Sequence, residues 1–150
     1  MLLATICLAL GLSSAEKMYS PRSEDETEIL SLVLSSEVQA NQWTEKELIC
    51  FSVDEKNPSP KLVRALRQRD LNVCSSGEWP KKSNCGFEVR LRFLGFHPAL
   101  SARVHAEVAD FREINEGVAH VAVRLRDGDY TVRKIGGKWS ISEYIRRSDG

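Results

Sequence analysis

The chain has no excess of charge of either sign. Lysine and arginine total 21, and aspartate and glutamate total 21, so no net field draws the protein towards nucleic acid or an anionic membrane. Arginines recur between residues 90 and 147, but they sit at the polar positions of alternating stretches among acids. That pattern favours a solvated sheet face over an RNA-binding platform. Histidine is scarce, with three residues. None stands at ligand spacing from a cysteine, which argues against a zinc site. The sequence carries no catalytic motif, nucleotide loop, internal repeat or low-complexity segment. No cofactor or metal is therefore expected. At 150 residues and 42% hydrophobic, one core and one domain are expected.

Charged side chains are also missing from the first fifteen residues, where an apolar run over residues 2–12 ends in Ser13, Ser14 and Ala15. The length of the run and the small residues after it are those of a secretory signal, without the usual Lys or Arg ahead of it. Eleven residues rise only about 16 Å as a helix, against a hydrocarbon core of roughly 30 Å, so a stable membrane span is not expected. Cys7 lies inside the run, which disfavours a lipid-modified cysteine at the cleavage point. The expected organisation is a signal peptide at 1–15, a flexible tether at 16–22 and a single domain at 23–150, secreted or periplasmic.

Removal of the leader leaves Cys50, Cys74 and Cys85. Cys74 and Cys85 bracket a polar stretch containing Gly77 and Pro80, so a disulfide between them is expected to staple a loop. By loop entropy such a bridge contributes about 3 kcal/mol. Cys50, within an apolar run, is expected to be a reduced, buried small residue.

Ser23 followed by Glu26 reads as a capping box, with Glu24, Asp25 and Glu26 at the positive end of the helix dipole. Ile29, Leu30, Val33, Leu34 and Val38 then form one apolar stripe of a helix running to about Asn41. Residues 48–53 read as a strand. Ser59 and Pro60 open a second, short helix with Leu62, Val63 and Leu66 on its apolar face, and residues 71–74 read as a short strand. The last third is a succession of alternating stretches: 87–93, 102–108, 121–126, 130–135 and 139–145. Turns are expected at 115–117, at Asp127, Gly128 and Asp129, and at Gly136 and Gly137. The fold class is therefore α+β, with a curved antiparallel sheet of about five to six strands packed against an N-terminal amphipathic helix and a second short helix.

The element order, together with the closing run from Tyr130 to Ile141 that contains Gly137, Lys138 and Trp139, resembles the nuclear transport factor 2-like superfamily, or cystatin-like cones. The resemblance covers about residues 23–147, and residues 48–85 look like exported members without assigned activity. It implies a helix lying across the concave face of the sheet and a conical cavity open at one end. Enzymes of this superfamily place an Asp or a His–Asp pair in that cavity, and no such motif aligns here.

Strand parity supplies other candidates. Asp110 continues the face of Val104, Ala106 and Val108, and Glu143 continues the face of Trp139, Ile141 and Ile145. A carboxyl desolvated there can act as acid or base; the alternative, which parity leaves open and which we favour, is a solvated strand end. His105 and His120 share parity with polar residues and are expected to face outward, and His97 sits in a loop. Trp43 and Trp79 are read either as ligand contacts or as caps on the core edge. Trp139 is expected in the core against the first helix. The function expected is non-enzymatic binding of a small ligand or protein partner through the cone cavity or the outer sheet face, with a homodimer through the sheet as a further partner. The alternative is a small-pocket enzyme using Asp110 or Glu143.

Overall fold

The computed structural model describes residues 18–44, 47–75, 85–112 and 121–147. The expected leader, Trp79, the turn at 115–117, His120 and the side chains of Cys85 and Asp110 lie outside the described residues. Two helices and a mixed sheet make up an α+β fold. Strand β1 (Met18–Tyr19) precedes helix α1 (Glu24–Ala40), followed by β2 (Leu48–Val53), β3 (Asn57–Pro58) and helix α2 (Pro60–Arg67). Then come β4 (Val73–Ser75), β5 (Cys85–His97), β6 (Ser101–Arg112), β7 (Val121–Ile135) and β8 (Lys138–Arg146).

The main sheet has six strands in the order β4-β2-β5-β6-β7-β8. It is not wholly antiparallel as expected, because β2 runs parallel to both β4 and β5. A crossover containing α2 separates β2 from β4, and such a connection returns the chain in the same direction.

Helix α1 forms where the apolar stripe requires. Ile29, Leu30, Val33 and Leu34 are fully buried. Its expected capping box does not form: Ser23 has extended geometry but makes no side-chain cap bond. Glu26 instead reaches past the cap, accepting from the Arg22 backbone N–H at 2.9 Å and the Tyr19 hydroxyl at 2.6 Å. Residues 18 and 19, expected in the tether, pair with β3 as a short parallel ladder. Helix α2 begins as its sequence dictates, with Ser59 Oγ accepting from the Leu62 N–H and Leu62, Val63 and Leu66 buried.

The core lies between the helices and one face of the sheet. Ile49, Phe51, Val53, Val89, Leu91, Val104, Ala106, Val108, Tyr130 and Val132 supply the sheet side. Trp43 caps the edge of this core, its ring centroid 4.4 Å from that of Phe87. Trp139 is buried as expected, and its indole N–H donates to Asp25 Oδ1 on α1 at 2.9 Å. Lys134 reaches the same oxygen at 3.2 Å. These two donors hold the Asp25 carboxyl below its ordinary range, the indole contributing most.

The disulfide differs from the expectation. Cys74 is joined to Cys50 rather than to Cys85, and Cys50 is buried but oxidised. The reason lies in the topology: parallel pairing of β2 and β4 sets Cys50 opposite Cys74 with Cα atoms 4.7 Å apart, inside the range a disulfide spans. Cys85 lies across from Leu48 at the start of β5.

The terminal hairpin also differs. Asp127, Gly128 and Asp129 do not turn the chain but continue β7, opposite Glu107, Ala106 and His105 of β6. Gly128 is required there, because a Cβ would overlap the Tyr144 ring. The turn at Gly136 and Gly137 stands as expected, with φ of 59° and 79°. Register shifts let Leu125 and Ser142 enter without a partner. Each reverses the inward–outward alternation beyond it.

Candidate functional site

The two faces of the sheet carry two different polar clusters. On the inner face, the Leu125 register shift sets Arg126 opposite Val108, and its guanidinium meets Glu37 of α1. Glu37 is wholly buried and is held on all sides. Arg126 Nε donates to its two oxygens at 3.0 and 3.3 Å, the Tyr130 hydroxyl donates to Oε1 at 2.6 Å, and Asn41 Nδ2 donates to Oε2 at 3.1 Å. Arg126 also lies over the Tyr144 ring, 4.2 Å from its centroid.

Burial, and then the hydrogen bond to Glu37, pushes the Tyr130 phenol up to about 12. Burial pulls against the Arg126 charge, yet Tyr130 and the charge of Glu37 together hold the guanidinium above its ordinary value. A carboxylate so fully engaged ties helix to sheet and has no lone pair left for a ligand.

On the outer face lies a groove of about 480 Å³, within the size range of small-molecule sites. Strand β5 lays Glu88, Arg90 and Arg92 along it, β6 contributes His105 and Glu107, and Ser52, Glu55 and Asn57 line it from β2, the following turn and β3. Cross-strand pairing fixes this layout, with Arg90 opposite Glu107 and Arg92 opposite His105. A second groove of about 400 Å³ lies beside α2, lined mainly by Met18, Pro58, Pro60, Val63 and Arg64.

His105 is only 8% exposed and is pinned at both ends. Its Nδ1 is 2.8 Å from Asp129 Oδ1 and its Nε2 is 3.0 Å from Asp127 Oδ1. Arg147 grips Asp129 with two contacts of 3.1 and 3.2 Å, and Arg103 stands 3.7 Å from its other oxygen. Both ring nitrogens thus lie against aspartate oxygens. The groove can therefore hold a polar molecule through guanidinium and carboxylate groups over an oriented imidazole.

Burial pushes the Asp129 carboxyl up, but the bonds from His105 and Arg147 outweigh it and the net shift is downward. A depressed folded pKa means that this pairing stabilises the fold above the unfolded carboxyl's value of about 4 and that the contribution is lost as pH falls through the lower folded value. Asp129→Asn should accordingly flatten the acid limb of the stability curve between about pH 5 and about pH 3. Urea midpoints measured across that range check it. Parallel curves for the two proteins would show that the Asp129 pairs contribute nothing.

The sequence candidates are not brought together. Asp110 stands in β6 opposite Phe87 and Val123, its side chain outside the described residues. Glu143 is exposed, because Ser142 enters β8 without a partner and Glu143 falls opposite Thr131 rather than in phase with Ile141. The same shift exposes Ile145 and turns Tyr144 towards the core. His105 does face outward as parity implied, but its aspartates were hidden in what read as a turn. Glu37 left a signal that could have been used: it is a carboxylate three and four positions beyond Leu34 and Val33, within the apolar stripe.

No family model matches the chain, and no curated protein and no solved structure is significantly similar to it.

Proposed function

We propose that this chain is an exported domain that binds a small polar ligand, without chemistry of its own, in the groove on the outer face of its sheet. The observation that carries the reading is the setting of His105: a groove floor whose imidazole is oriented by Asp129 and flanked by Asp127 is a preorganised surface for holding a polar molecule. The inner face supports the same choice, since Tyr130, Arg126 and Glu37 already satisfy one another there. We read the arrangement of α1 across the sheet as the cone of the nuclear transport factor 2-like superfamily, with its inner space given over to this network. Export rests on the apolar run before Ala15, which makes the mature chain begin near Glu16, and the Cys50–Cys74 bridge is compatible with an oxidising compartment.

A broad metabolite screen by thermal shift tests the function, because a ligand stabilises only the state it binds, by about 2.7 kcal/mol at a hundredfold excess over Kd. Ser52→Phe, which fills the groove from β2, is expected to abolish the shift given by any hit while the free protein still unfolds cooperatively. A hit that stabilises this variant as well as the parent binds elsewhere.

Peptide mapping of secreted material without reduction tests the compartment. The expected result is a Cys50–Cys74 linked pair and an N-terminus near Glu16. Recovery with Met1 retained and all four thiols alkylated would contradict it.

A further inference from the structure

The charges that line the outer groove are not equally free, and those left over define a ligand. Glu88 and Arg90 neutralise each other through a contact of 3.2 Å. His105 is held by Asp127 and Asp129, and Glu107 is engaged as well. Among the described residues, the lining charges without a partner are Glu55 and Arg92, one of each sign.

Glu55 is also held there by an unusual backbone. It and Asp54 form the two central residues of the turn between Val53 and Lys56, with φ of 64° and 51°, the left-handed region that glycine and asparagine prefer. Asp54 is tied down by its own carboxylate, which accepts from the Phe93 backbone N–H at 3.0 Å. Glu55 lines the groove and makes no bond that would reward its conformation, so the turn keeps a carboxylate where glycine would be at ease. Strain of this kind is retained where a side chain is needed at a site.

We propose that the groove takes a zwitterion of the amino-acid or short-peptide class, with the ligand's carboxylate on the Arg92 guanidinium and its ammonium on the Glu55 carboxylate. This rests on the reading of the groove as a binding site. Arginine suits the carboxylate because its planar fork donates two parallel hydrogen bonds. The turn carboxylate in the same groove gives the ammonium a counter-charge, and a molecule carrying both groups is the one whose binding leaves neither lining charge unpaired.

The test is calorimetric titration of the mature chain with free L-amino acids and dialanine, each beside its N-acetyl and C-amide forms and beside acetate, phosphate and neutral sugars. The expected result is binding by a free zwitterion that weakens at least tenfold when either end is blocked. Arg92→Gln should remove the penalty for amidation and leave that for acetylation; Glu55→Gln should do the reverse. Glu55→Gly separates the ligand role from a structural one, and it is expected to raise the melting temperature by relieving the turn while losing zwitterion binding. Equal binding of blocked and free forms overturns the inference, as does competition-proof binding of acetate, phosphate or a sugar. If such a compound binds and Ser52→Phe abolishes that binding, the groove stands as a site and only the zwitterion falls. If no compound of any class binds, both fall together.

Discussion

Arg126→Met is expected to destabilise the fold by about 2–3 kcal/mol, because it strips the cation from a carboxylate that has no access to water. Glu37 is fully buried, and removing one partner of a buried ion pair typically costs about 3–5 kcal/mol. The lower figure applies because Arg126 itself is 23% exposed, so water can enter the space it leaves. The double variant Glu37→Gln, Arg126→Met should recover most of the loss. The amide oxygen still accepts from the Tyr130 hydroxyl, its NH2 takes the place of the oxygen that Asn41 met, and nothing charged remains to be desolvated. Urea denaturation of the parent, both singles and the double gives the coupling directly. Additive losses would mean that Glu37 and Arg126 do not act as a pair.

The second large effect is at the other end of α1. Trp139→Ala should cost about 3–5 kcal/mol, since a buried tryptophan leaves a cavity that its neighbours cannot fill. Trp139→Phe separates packing from the polar link: it keeps most of the ring but leaves Asp25 without its indole donor, a loss of about 1 kcal/mol. A change below about 1 kcal/mol for the alanine variant would mean that β8 does not anchor the helix through this residue.

Trp139 also marks how far the sequence can be followed. The helices were legible because an apolar stripe and a Ser–Pro start are local signals, and α1, α2 and β2 lie where those signals put them. Alternation named the right faces of β5 and β6, and of β8 as far as Ile141. It failed after Ser142, where an unpaired residue changes parity without any mark in composition.

The Asp127-Gly128-Asp129 stretch reads as a turn because those residue types favour one. What overrides the preference is tertiary: Tyr144 needs the space above Gly128, and His105 needs both aspartates. The disulfide failed for a related reason. Spacing along the chain pointed to Cys85, but partner choice was decided by a parallel strand pairing that no short window contains. The outer groove was invisible in the same way, because its lining comes from β2, the turn after it, β3, β5 and β6, brought together only by sheet order.

The most direct measurement of the binding claim is a backbone amide map of the labelled protein titrated with the tightest hit of the metabolite screen. Shifts are expected to cluster at residues 52–57, 88–92 and 105–107, around the outer groove, and to leave residues 29–37 and 130–132 unmoved. Shifts confined to α1 and the inner face of β7, with the outer residues silent, would contradict the outer-face site and return the ligand to the space between helix and sheet.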